Sequence, residues 1–91
     1  MNKKITPGAL FAVTEGTYKR KFLVCISEES HHYNFLFLPD LDPCRISSKD
    51  VVDGVRKKIL EFIEILPADV FTICETQYDK NSNTRLVKPS I

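Results

Sequence analysis

Apolar and polar positions in the first half of the chain follow the short period of β-strands, and those in the second half follow the longer period of helices. Pro7-Gly8 signals a turn, and Ala9–Thr14 after it is rich in strand formers. Glu15-Gly16-Thr17 reads as a second turn, leading into a strand at Lys21–Ser27. There Phe22, Val24 and Ile26 share one face and Leu23 and Cys25 the other. Both faces are apolar, which predicts a central strand covered on each side. The polar run Glu28-Glu29-Ser30-His31-His32 reads as a hairpin loop. A third strand, Tyr33–Leu38, returns from it with Tyr33, Phe35 and Phe37 on one face. Pro39 and Pro43, which cannot donate to a ladder, are expected to stop it. These three segments predict an antiparallel meander.

The next segment has two readings. Ser47 with Asp50 three residues on resembles a capping box, the shorter Asp replacing Glu. Val51, Val52, Val55, Ile59, Phe62, Ile63 and Leu66 then fall on one side of a helical wheel, which supports one amphipathic helix ending before Pro67. Gly54 and the β-branched content of ILEFIEIL support instead a helix over Ser48–Lys57 and a strand over Ile59–Leu66, completing a four-stranded sheet. The second reading leaves less edge to protect, and the balance tips towards it. Pro67-Ala68-Asp69 opens a further helix, with Val70, Phe71, Cys74 and Tyr78 at helical spacing to about Lys80. Asn81-Ser82-Asn83 is expected to end it, leaving residues 81–91 as a loosely held tail. Together these elements describe one α+β domain over residues 1–91. Its antiparallel sheet has three to five strands and is packed by one or two C-terminal helices.

A chain of 91 residues, 43% apolar and 27% charged, is enough for one modest core. Its 13 Lys and Arg against 12 Asp and Glu leave a net charge of +1, so attraction to nucleic acid or an anionic membrane would need a local patch. No stretch approaches the roughly 18 apolar residues of a membrane span, and no membrane association is expected. The odd number of cysteines, with no secretory pattern at the start, fits free thiols in a reducing cytoplasm.

Candidate chemistry is sparse. Cys25, His31, His32 and Cys44 have the spacing C-x5-HH-x11-C, without the close ligand pair that pre-forms a zinc site. No helix start follows Cys44 to activate a Cys–His pair. The carboxylates are scattered on polar faces, and Gly8, Gly16 and Gly54 are isolated, so no phosphate loop exists. Neither a cofactor nor catalysis is expected. Basic residues do cluster, with Lys19-Arg20-Lys21 after Tyr18 and a second group at Arg56-Lys57-Lys58. An aromatic beside cations could stack on a base while the cations meet phosphate, although the same residues also serve to blunt a strand edge.

The stretch PGALFAVTEGTYKRKFLVCIS resembles the opening of an SH3-like small barrel of the KOW type, with Gly16, Tyr18 and Lys19 at its basic turn. Arg20 and Lys21 stand near the place of that family's second glycine. The resemblance implies a partly open barrel and contact with RNA or ribosome-associated machinery. A similar opening occurs in ribonuclease toxins of the PemK and MazF type, which implies a small ribonuclease; Lys21-Phe22 stands where an Arg-Pro usually leads their second strand. Short length, cysteine-bearing strands and missing catalytic signals also resemble small bacteriophage accessory proteins.

The leading expectation is a non-catalytic binding module acting on a protein partner through Tyr18, Arg20, His32 and Tyr33 at the tips of the meander. The rival is single-stranded RNA binding through Tyr18, Lys19, Arg20 and Lys21, joined by Arg56, Lys57 and Lys58. An open sheet edge also offers a route to a homodimer.

Overall fold

The computed structural model describes residues 5–87. Five strands form one antiparallel sheet: β1 (Ala9–Val13), β2 (Phe22–Glu28), β3 (His32–Leu38), β4 (Asp42–Ser47) and β5 (Leu60–Ile65). Helix α1 (Ser48–Arg56) links β4 to β5, and α2 (Ala68–Val87) follows β5. The spatial order is β4-β3-β2-β1-β5, so α1 carries the chain from one edge of the sheet to the other. No helix among the described residues is long and apolar enough to cross a membrane.

The two apolar faces of β2 decide the layering. Leu23 and Cys25 join Ala9, Phe11, Phe35 and Val51 of α1 in one buried cluster. Val24 and Ile26 join Leu36 and Cys74 of α2 in another. Leu23, Val24, Cys25, Phe35 and Leu36 are all at most 2% exposed, so each face has its own cover. This corrects the barrel expectation. The sheet stays open, because strands apolar on both sides need two helices rather than one closed interior.

The meander and the helix-then-strand reading both match the elements observed. Ser47 caps α1, its hydroxyl accepting from the Asp50 amide at 3.1 Å. Lys57 caps the helix C-terminus, and Lys58 follows with φ of 63°. The Lys58 amide donates to the Val55 carbonyl and the Ile59 amide to the Gly54 carbonyl, the paired bonds of a Schellman motif. That turn breaks the helical period carried by Ile59, Phe62, Ile63 and Leu66, and the chain continues as β5.

Strand β4 is a correction to the sequence reading. Strand β3 ends at Leu38, before Pro39, as expected, but the chain then returns as a strand the sequence reading did not include, with Pro43 inside it and paired with Leu36. That proline is tolerated because β4 is an edge strand with β3 as its one neighbour, so a missing donor on the open side breaks no ladder. Asn81-Ser82-Asn83 does not stop α2 either, which continues to Val87. The Asn81 side-chain amide donates to the Leu41 carbonyl, tying the helix to the β3–β4 turn where propensity alone would let it fray. The rest of the expected tail, residues 88–91, lies outside the described residues.

Helix α1 and β5 meet at Gly54. A Cβ there would lie 3.0 Å from Leu60 Cδ1 and 3.1 Å from Cγ, and Leu60 is buried in the α1-side cluster. Gly54→Ala would gain about 1 kcal/mol of helix propensity. It would lose about 1–3 kcal/mol to overpacking. We expect a net loss of about 1 kcal/mol in urea unfolding, and a stabilised variant would show that Leu60 yields freely.

Candidate binding surfaces

The four tip residues do not share a surface. In an antiparallel meander successive turns lie at opposite ends, so Tyr18 and Arg20 in the β1–β2 turn are separated from His32 at the β2–β3 turn by the length of β2. Tyr33 is not at a tip at all, and this too is a correction. It is 8% exposed, pairs with Ile46, and sets its ring 6.2 Å from that of Phe35 in the core. The alternation that puts Phe35 and Phe37 inward carries Tyr33 with them.

At the β2–β3 end, a polar cluster is organised around buried Asn34. Its amide nitrogen donates to Ser27 Oγ and to Glu29 Oε2, each at 2.9 Å. His32 Nε2 lies 2.8 Å from Glu29 Oε1. The bond from Asn34, the largest effect, holds the Glu29 carboxyl below its usual 4.5 against the opposing desolvation, with lesser help from the charges of His32 and Arg45. This arrangement orders the β2–β3 turn.

The opposite end gathers the two basic segments that the sequence separates. The Arg20 amide donates to the Val13 carbonyl at 3.0 Å, while the Thr14 hydroxyl donates to the Lys58 carbonyl at 2.6 Å. Arg20 and Lys58 thus flank one dipeptide, Val13-Thr14. Both have left-handed backbones, with φ of 78° and 63°. Arg20 occupies the bulge position, and Lys58 the position after the helix cap, that glycine usually fills. Holding a side chain there costs about 1–2 kcal/mol at each site. Lys21 pairs with Asp40, and Arg56 with Asp53 at 2.7 Å. Lys19, Arg20, Lys57 and Lys58 are exposed and form no ion pair among the described residues. Tyr18 is 52% exposed, its ring 4.9 Å from that of Phe37.

A third surface was not anticipated. The β1–β5 register shifts between Leu10 and Phe11: Leu10 pairs with Glu64 and Phe11 with Phe62, leaving Ile63 as a bulge. Directly paired residues share a face, so Phe62 lies with Phe11 and Ile65 with Ala9, on the α1 side. Glu61 and Glu64 lie with Ala12 and Leu10 on the other side. The bulge therefore sorts LEFIEI into an apolar and an acidic face that strict alternation would have mixed. Phe62, Ile63 and Ile65 are 44–52% exposed, and Val52 and Val55 of the packed helix α1 are 57% and 41% exposed. The signal was present in the broken alternation of LEFIEI, but its direction depends on the bulge.

The cysteine and histidine candidates are dispersed. Cys25 and Cys44 both pair with Phe35, one from each side, so the β3 strand stands between them. His31 and His32 lie at the β2–β3 turn, and no three His, Cys, Asp or Glu side chains converge among the described residues. Burial pushes the Cys25 thiol up to about 12, with Glu28 adding to the shift, and burial also raises those of Cys44 and Cys74.

Two outcomes follow from these environments. Iodoacetamide on the native protein at pH 8 should modify half-buried Cys44 well before Cys25, with the order read by peptide mass spectrometry. The lowered Glu29 carboxyl contributes stability that is complete above its ordinary 4.5 and is lost as pH falls through the folded value. Asn34→Ala should move the Glu29 midpoint upward in an NMR titration.

No protein-family model matches the chain, and no curated protein and no solved structure shows significant similarity to it.

Proposed function

We propose that the domain is a non-catalytic binding module that engages a protein partner along the ledge formed by α1 and β5. The observation that carries this reading is the grouping of Val52, Val55, Phe62, Ile63 and Ile65, each more than 40% exposed, on one helix and the strand packed beside it. Single exposed apolar side chains are ordinary on a small domain. Five on two adjoining elements suggest a surface kept for contact.

The edges of the sheet differ in the same direction. Edge strand β4 carries Pro43, which discourages pairing, whereas β5 carries no proline and turns its charges, Glu61 and Glu64, away from its apolar face. The bulge at Ile63 interrupts the row of outward backbone groups on β5. That favours docking of side chains on the ledge over addition of a strand from a second copy. The four residues first expected at the meander tips do not support the reading, since Tyr33 is buried and the other three are divided between two ends.

The test compares the wild-type domain with a Val52→Asp/Ile65→Asp variant. Both positions are more than half exposed, so the thermal midpoint should hold within a few degrees. A protein retained from nuclease-treated extract by the wild type should be lost by at least ten-fold with the variant. Equal retention by the two would remove the ledge as the binding surface.

A further inference from the structure

We propose that the end of the sheet formed by the β1–β2 turn and the α1–β5 turn is a binding site for single-stranded nucleic acid. Phosphates would be held by Lys19, Arg20, Lys57 and Lys58, with a base stacked on Tyr18. The site is separate from the apolar ledge and independent of it.

Three observations converge on it. Two basic segments far apart in the chain are fastened to one dipeptide by hydrogen bonds: Arg20 through its amide to Val13, and Lys58 through its carbonyl to the Thr14 hydroxyl. Four cations in these turns lack an ion pair among the described residues, while the carboxylates Asp40 and Asp53 are engaged by Lys21 and Arg56. Glu15 in the β1–β2 turn, Asp42 at the start of β4 and Glu61 near the start of β5 offset part of this charge, and the four cations still outnumber them. With Lys21, Arg56 and their partners Asp40 and Asp53 included, this end holds six cations against five carboxylates, so the net charge of +1 resides here.

The backbone supplies the third observation. At the bulge and at the Schellman turn the fold would be relaxed by glycine, yet it carries Arg20 and Lys58. Strain of this kind is held by the surrounding structure and clusters at functional sites, although Leu41, with φ of 63°, carries it as well. Neither side chain makes an ion pair among the described residues that would explain its presence. Tyr18 is the most exposed aromatic group at this end, leaning on Phe37 with half its surface open. A ring supported on one side and open on the other is suited to stack a base, a contact available only when bases are unpaired. Cations arranged around it favour a phosphodiester chain over an isolated anion.

The experiment measures binding of a fluorescein-labelled 20-nucleotide uridine oligomer by anisotropy between 25 and 200 mM salt. Four phosphate contacts predict a slope of log K against log salt of about −2.8. An Arg20→Gly/Lys58→Gly variant separates function from architecture, because glycine suits both backbones. Its thermal midpoint should be unchanged or raised, its affinity at low salt should fall about ten-fold or more, and its slope should fall to about −1.4. Tyr18→Ala should weaken binding about five-fold or more with the slope unchanged. The proposal is overturned if the wild type does not bind the oligomer at 25 mM salt, or if the double glycine variant binds as tightly. It is also overturned if poly-glutamate or duplex RNA competes as well as the single strand.

Discussion

Everything in this fold follows from the need to cover β2 and β3 on both sides. Leu23, Cys25 and Phe35 look one way and Val24 and Leu36 the other, all nearly free of solvent contact. Each large side chain so buried contributes about 1.5–3 kcal/mol. Neither face can be given up, and one helix cannot serve both. Helix α1 must lie on one side and α2 on the other. Placing α1 between β4 and β5 carries the chain across the sheet, so the last strand pairs with the first. The apolar ledge and the clustered cations both sit where that crossing returns to the sheet.

Local periodicity carried most of this architecture. The meander could be read from KFLVCIS and YNFLFL because a strand apolar on both faces has few alternatives. The break between α1 and β5 was less plain, since Val51 to Leu66 satisfies a helical wheel nearly as well. The Schellman turn at Lys58 decided it, and no glycine advertised that turn. Strand β4 was hidden by Pro43, whose tolerance depends on being at an edge, a fact of tertiary placement rather than composition. Where α2 continues past Asn81, that side chain bonds a distant carbonyl, a contact no local propensity signals.

The candidate surfaces were legible in parts. Lys19-Arg20-Lys21 and Arg56-Lys57-Lys58 stand out in the sequence, but their convergence needs the pairing of Val13 with Leu60. Tyr33 was misplaced because it follows a polar loop and was assigned to the tip of the meander, while its register carried it inward beside Ile46. The ledge escaped notice because one unpaired residue, Ile63, exchanges the faces of those after it. Such an exchange is invisible to any argument from period.

The crossing also sets an order of assembly. Strands β1, β2 and β3 join neighbours through short turns, whereas Ala9 must find Ile65 and Val13 must find Leu60 after the whole intervening chain has been placed. Such long-range closure carries a larger entropic penalty and comes late in folding. By the same reasoning β5, exposed from Glu61 to Ile65 and paired on one side, should open first in the native state. Its amides would then exchange with solvent while those of β2 and β3 stay protected. A partner that seats on the ledge would close this opening, so recognition and the completion of folding would be one event at that edge.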